Sequence, residues 1–305
     1  MTATTNKIAF VSGAGNGIGR ALAEALLERG CTVYLSDVRA QDLERARVEL
    51  ASHGERVRTL QLDVSDRAAV VAAADKVRAE HGKLHLLFNN AGINNFGAMD
   101  EATFDDWDWI LGVNLNGVIN GVVAFMPLIK AAADDGAHIV NTASMAAFVP
   151  GVGAGVYSVA KFGVRGLSEA MWYSLAPKGI GVSMVCPGLV SSNIHYSDEV
   201  RPESLDDASF TSTPEFLERM AHVHSLGMPP SEMAIKILEG VEANRLRIFT
   251  HRDHRDEVLE LHDEVMASFP SDEPEPQRYA FEQMRRKGNA EAKAAGLAAL
   301  KATFR

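Results

Sequence analysis

The sequence predicts an α/β fold: a doubly wound parallel sheet with a helical C-terminal extension. Three observations lead there. Short β-branched runs alternate with amphipathic stretches of helix length. The runs are apolar on both faces, the pattern of strands covered on both sides by crossover helices. The first run passes straight into a glycine-rich turn, SGAGNGIG (12–19), and from there into a helix.

The elements follow in order. KIAFVSG (7–13) reads as a strand and IGRALAEALLERG (18–30) as a helix ending at Gly30. TVYLSD (32–37) is the next strand, followed by a charged helix from Gln41 to Ser52. VRTLQLDV (57–64) is the third strand, and the helix from Asp66 is closed by Gly82. LHLLFNNAG (84–92) is the fourth. Thr103 opens a long helix reaching Ala133, with Asp106 three residues on in a capping-box arrangement. HIVNTAS (138–144), a helix from Gly155, GVSMVCPG (181–188), a helix opened by Ser231 and LRIFT (246–250) complete the rhythm. Two regions break it. Residues 189–230 are long, polar and irregular, the character of a lid. Residues 251–305 are charged, then alanine-rich, and interrupted by FPSDEPEP (269–276). The expected division is a dinucleotide-binding and catalytic domain over 1–250, with 251–305 as extra helices packed on it.

Bulk composition narrows the function. A chain of 305 residues, 47% hydrophobic and 23% charged, has the make-up of a soluble globular protein with a substantial core. A net charge of −10 argues against a nucleic-acid backbone or an anionic membrane as partner. Cys31 and Cys186 lie in apolar runs and read as core thiols. MTATTNK has neither an apolar signal core nor an arginine-rich transit pattern, and no apolar stretch approaches membrane-spanning length without polar interruption. A cytoplasmic location is expected. HVH (222–224) and HRDH (251–254) lack a matching ligand set at a recognised spacing, so no metal is expected and these histidines read as surface or lid residues.

The glycines of the first turn, Gly13, Gly17 and Gly19, leave bare backbone for a pyrophosphate to approach a helix N-terminus. Asp37 ends the second strand, where a carboxylate would accept a ribose hydroxyl and repel a 2′-phosphate. NAD is therefore favoured, with Arg39 as the residue able to accommodate that phosphate instead. Asp63 reads either as an acceptor for the adenine amino group or as a charge at the next helix N-terminus. Asn90, Ala91 and Gly92 close the fourth strand at the same edge. Asn114 sits in an apolar helix, where a buried amide needs partners, structural or catalytic. Tyr157 and Lys161 lie one helical turn apart. A phenol of pKa ~10 is a poor base at neutral pH, but a cation about 4 Å away at an effective dielectric of ~20 is worth ~4 kcal/mol, or about 3 pKa units.

The ordered set of GxxxGxG, Asp37, NNAG, Asn114, Ser144, Tyr157–Lys161 and Pro187–Gly188 resembles the short-chain dehydrogenase/reductase family over residues 5–250. The resemblance implies a Rossmann fold. It implies Tyr157 as acid/base, Ser144 hydrogen-bonded to the substrate oxygen, Lys161 lowering the phenol pKa and holding the nicotinamide ribose, and Asn114 holding a water in a relay from Lys161. It extends the cofactor edge to Asn16, Ile18, Val64, Val190 and Ser192; the last stands where the family usually has threonine. It also implies a homodimer or homotetramer through the helices beginning near Thr103 and Gly155.

A narrower likeness is to the Cα-dehydrogenases of bacterial lignin β-aryl ether breakdown. It is carried by DDWDWILGVNLNGVINGV (105–122), Ser-Asn-Ile (192–194) and the extended C-terminus. It implies NAD-dependent oxidation of a benzylic secondary alcohol to a ketone. Asn94, Phe96, Met145, Phe148, Val149, Leu189, His195 and Tyr196 would form a largely apolar substrate pocket. Two rivals stand beside this reading. One is an NADP(H)-dependent ketone reductase; the other is an inactive cofactor-binding sensor or scaffold, against which the complete Asn114, Ser144, Tyr157, Lys161 set argues.

Overall fold

The computed structural model describes residues 2–303. Seven strands pair in one parallel sheet: β1 (Ile8–Ser12), β2 (Thr32–Asp37), β3 (Val57–Gln61), β4 (Leu86–Asn89), β5 (His138–Thr142), β6 (Gly181–Cys186) and β7 (Arg247–Phe249). Their order is β3-β2-β1-β4-β5-β6-β7. The chain winds outward from β1 to β3, returns to the middle, and winds outward again from β4 to β7. The connections after β1 and β4 therefore diverge, and a crevice opens beyond the carboxyl ends of these neighbours.

The crossovers are α1 (Gly17–Glu28), α2 (Ala40–Glu49), α3 (Arg67–His81), α4 (Phe104–Leu111), α5 (Gly117–Ala131), α6 (Gly155–Leu175), α7 (Pro214–Ser225) and α8 (Pro230–Glu242), with α9 (Arg255–Ala267) and α10 (Pro276–Thr303) after the last strand. Alternate residues of each central strand enter opposite apolar layers. Ala9, Val11, Val33 and Leu35 pack with Leu22, Leu26 and Leu27 of α1 and Ile237 and Val241 of α8. Phe10, Tyr34, Leu87 and Ile139 pack with Val77 of α3, Phe125 and Ile129 of α5 and Trp172 of α6. Burial on both faces is why these strands read as unbroken apolar runs. Cys31 and Cys186 are buried, unpaired thiols in this core.

The structure departs from expectation in three places. The long helix from Thr103 forms its capping box with Asp106 but divides into α4 and α5 around a π-helical turn, Gly112–Asn116, with Asn114 inside it. This Phe104–Ala131 run has the length and composition of a membrane span, although Asn114, Asn116 and Asn120 interrupt it. Half of its most apolar window is buried, with α4 against α6 and α5 against α3 and β4. Next, the 189–230 segment is not wholly irregular. It contains a 3-10 stretch, Ile194–Val200, and then α7, whose Thr213 side chain accepts from Phe216 N–H with Pro214 at the first helical position. Thr-Pro-Glu (213–215) carries that start signal in the sequence. Third, the extension contacts the core unevenly. Gly296 and Leu300 of α10 are buried, and Gly296 lies against Ala176 and Trp172. Tyr279, Phe281 and Met284 of the same helix are exposed. Residues 304–305 lie outside the described residues.

One buried group makes the sheet sensitive to acid. His138 of β5 is fully buried, its Nε2 2.8 Å from Ser183 Oγ, which in turn donates to the Arg245 carbonyl. Burial pushes the imidazole down to about 3. The unfolded chain takes up this proton near pH ~6.5, so the stability that His138 contributes is intact above that pH and falls as pH drops toward about 3. Between pH 7 and pH 5 this group alone should remove about 2 kcal/mol. Urea unfolding at the two pH values measures it, and coincident midpoints would refute it.

Candidate active site

The crevice is a cleft of about 570 Å³. One arm begins at the turn after β1. Gly13 and Gly17 take positive φ, +64° and +53°. A side chain on Gly13 would meet the Ala91 Cα at 2.8 Å, and one on Gly19 would meet the Gly13 carbonyl at 2.1 Å, so the turn closes only on bare backbone. Asn16 precedes α1 but makes no side-chain cap, because its amide donates to Asp42 Oδ2 at 3.0 Å. The opening N–H groups of α1 are thereby left for an anion. Gly13, Asn16, Gly17 and Ile18 line the cleft; Gly19 does not, and serves helix–strand packing instead. This cradle fits a diphosphate.

Asp37 is 8% exposed and lines the same arm. Burial raises its pKa, opposed by backbone N–H bonds from Arg39 and Gly15. Asp63 and Val64 also line it. Asp63 Oδ1 accepts from Ser65 N–H and Oγ, while Asp66 caps α3, so the helix-terminus role belongs to Asp66. Asn90, Ala91 and Gly92 continue the wall, and Asn90 Nδ2 donates to the Ser12 carbonyl at 3.0 Å. On the far side stand Pro187, Gly188, Val190 and Ser192.

Ser144, Tyr157 and Lys161 meet where the arms join. Ser144 follows β5, while Tyr157 and Lys161 project from the first turns of α6. Lys161 Nζ lies 5.3 Å from the Tyr157 ring centroid and donates to the Thr142 carbonyl at 3.0 Å. Burial raises the phenol pKa, partly offset by the hydrogen bond with Ser144, and burial lowers the ammonium to about 8. The protein alone therefore does not bring the phenol toward neutrality, contrary to the estimate from residue spacing. Desolvation is the largest cause of the shift in both groups.

Asn114 does not line the cleft. Its Nδ2 donates to the carbonyls of Ile93 and Ile110, at 2.9 and 3.1 Å, and its Oδ1 accepts from Ile93 N–H at 3.2 Å. Its side chain thus ties the loop after β4, at Ile93, to the π turn and the end of α4.

The second arm is more apolar. Asn94, Phe96, Met145, Val149 and Leu189 line it, joined by Trp109, Val113, Ile194, Met220, His224, His254 and Glu257. Three residues expected there are placed elsewhere. His195 is 5% exposed and stacked on His224, with ring centroids 5.0 Å apart; Tyr196 packs tilted against it at 4.2 Å; Phe148 packs against Phe249. The 3-10 turn of 194–200 takes the His195 and Tyr196 rings out of the cavity lining and brings Ile194, Ser197 and Val200 into it.

Other residues had no functional reading in the sequence. Ser12 Oγ accepts from Asn90 and Ala91 N–H, both at 3.0 Å. Asn89, Asn141 and Ser168 form a buried hydrogen-bonded chain beneath the site. His251 accepts from Gly188 N–H at Nδ1 (3.1 Å) and lies 2.9 Å from the Leu189 carbonyl at Nε2, so the HRDH stretch clamps the Pro-Gly turn. A polar residue ending an apolar strand was the available signal for Ser12 and Asn89; none pointed to His251.

The 189–230 segment is pinned through Asp106, which is fully buried. Besides capping α4, this carboxylate accepts from Ser209 and Phe210 N–H, at 3.1 and 3.2 Å, and pairs with Arg201. Arg201 lies 4.3 Å from the Trp109 ring centroid and donates to the Phe210 carbonyl at 2.6 Å. Burial would raise the Asp106 pKa, but N–H bonds from Thr103, Ser209 and Phe210 outweigh it and hold the carboxyl below its usual range.

Comparison with known proteins supplies a family. The short chain dehydrogenase family model matches residues 7–201. A Cα-dehydrogenase of Sphingobium sp. strain SYK-6 is 38% identical over 258 residues, covering 84% of each chain. A solved short-chain dehydrogenase from Novosphingobium aromaticivorans superposes with TM-score 0.81 at 39% identity, covering 96% of this chain and 99% of that one. One from Burkholderia phymatum, solved in complex with NAD, gives 0.82 at 34%, covering 90% and 99%.

Replacing Asp106 by alanine should leave the amides of Ser209 and Phe210 without their acceptor and Arg201 with Asp198 as its remaining carboxylate. Loss of one partner of a buried ion pair costs about 3–5 kcal/mol. Urea unfolding reads that loss, and amide hydrogen exchange across 198–212 should accelerate. Unchanged exchange there would show that the segment is held by other contacts.

Proposed function

This chain belongs to the short-chain dehydrogenase family, and from that premise we propose that it oxidises a bulky benzylic or aromatic secondary alcohol to a ketone with NAD. The observation that carries the proposal is the convergence of Ser144, Tyr157 and Lys161 at the junction of a diphosphate cradle and a mainly apolar pocket. Lys161 would hold the nicotinamide ribose and the Pro187–Ser192 wall its ring, and the bound nicotinamide would supply the hydride acceptor. Tyr157 phenolate takes the hydroxyl proton as the carbonyl forms and returns it in the reverse direction. Ser144 donates to the oxygen as charge develops on it. Lys161 favours the phenolate, and Asn114 would hold a water as the relay's next station.

Asp37 at the ribose end supports NAD, as does the family relative solved with NAD. Phe96, Trp109, Met145, Val149 and Met220 give the pocket room and affinity for an aromatic body, in keeping with the likeness to a Cα-dehydrogenase. The 189–230 segment serves as the lid of the 1–250 domain, and His254 and Glu257 bring the start of the extension to its mouth. Exposed Val123, Val159 and Phe162 on α5 and α6 suit a homodimer or homotetramer in the cytoplasm.

The test is nicotinamide absorbance with NAD or NADP and a panel of benzylic, steroidal and aliphatic secondary alcohols. NAD should be reduced with benzylic alcohols, and Tyr157→Phe should lower kcat by about 10²–10⁴-fold. Because burial holds the phenol protonated, oxidation, which needs the phenolate, should accelerate as pH rises, while ketone reduction, which needs the phenol, should stay level until the phenol ionises. A Tyr157→Phe enzyme of undiminished kcat would sink the mechanism. NADP reduction alone would favour the reductase reading, and NAD binding without turnover the sensor.

A further inference from the structure

Arg39 stands beside Asp37, where a guanidinium would ordinarily be free to meet a 2′-phosphate. Here it is engaged. Its backbone N–H donates to Asp37 Oδ1 at 3.0 Å, while its side chain crosses the cleft mouth to the 194–200 turn. Nη1 pairs with Glu199 Oε2 at 3.0 Å, and Nη2 donates to the Tyr196 carbonyl at 3.1 Å. Asp37 and Arg39 line the cleft on one side, and Ile194 and Ser197 of the same turn line it on the other.

We propose that Glu199 is a determinant of dinucleotide choice: it withholds Arg39 from the 2′ position that Asp37 faces. This rests on the NAD reading above and adds to it a residue outside the β2 turn. A 2′-phosphate must compete with the Glu199 carboxylate for the guanidinium while lying close to the Asp37 carboxylate. A 2′-hydroxyl competes for nothing, since it needs only an acceptor. The Tyr196 carbonyl makes the competition structural as well as electrostatic. Drawing Arg39 toward the dinucleotide detaches the turn that covers the cleft, so NADP binding works against closure and NAD binding does not.

The pair is partly exposed, with Glu199 60% accessible, which limits its strength. Glu199→Gln should therefore shift the ratio of NADP to NAD dissociation constants toward NADP by about fivefold, and the double variant Arg39→Gln/Glu199→Gln should lose that gain. Calorimetric titration with each dinucleotide, without alcohol, reads both. An unchanged ratio in Glu199→Gln, or a gain that persists without Arg39, overturns the proposal. Wild-type protein that binds NADP more tightly than NAD overturns the NAD reading instead, whatever Glu199→Gln does.

Discussion

The site depends on one constraint: the chain leaving β1 and the chain leaving β4 must start side by side and then part to opposite faces of the sheet. Ser12 holds the start, accepting both Asn90 and Ala91 N–H, and Asn90 answers with its amide to the Ser12 carbonyl. Gly13 then turns away at positive φ so close to Ala91 that no side chain fits. The gap left beyond this stitch is the cleft. Every residue assigned a role is placed by its distance from it.

A second layer of polar contacts keeps the walls of that gap in register. Asn89, Asn141 and Ser168 link β4, β5 and α6 through bonds of 2.9 and 3.0 Å. A side chain on Gly121 of α5 would come within 2.2 Å of the Asn89 amide oxygen, so helix, strand and amide accept one arrangement. Asn114 and Asp106 do the same for the rim. Buried amides and carboxylates with all partners in place rigidify what surrounds them, because any slip leaves a polar atom unpaired in a poorly solvating interior. Ser144, Tyr157 and Lys161 are thus carried on a frame of hydrogen bonds beneath a largely apolar pocket.

Much of this was legible in the residues. Unbroken apolar strands, the Thr103–Asp106 cap and the glycine turn are local patterns, and local patterns report local structure faithfully. The Tyr157–Lys161 spacing is likewise a property of one helix. What escaped lay between segments. The π turn at Gly112–Asn116 places Asn114 against Ile93 in the loop after β4, a contact between segments that no periodicity reveals. His195 seemed aimed at substrate because it follows the Pro-Gly turn, yet a short 3-10 stretch rotated it against His224. The phenol's environment was misjudged for a related reason: spacing along a helix supplies a charge separation but not the burial of either group.

The clamp between His251 and the Pro-Gly turn ties early sequence to late sequence. Gly188 N–H finds its partner 63 residues further along the chain, at the entrance to α9. During synthesis the glycine turn, Ser144 and the start of the Tyr157 helix all emerge before His251 has been added to the chain. A nascent chain ending near β7 holds the glycine-rich wall of the cleft but an untied Pro187–Ser192 wall. Since chains emerge at about 5–20 residues per second, the cleft remains half-built for several seconds after its chemistry-bearing residues are out. The last pieces to arrive are therefore what make the site whole.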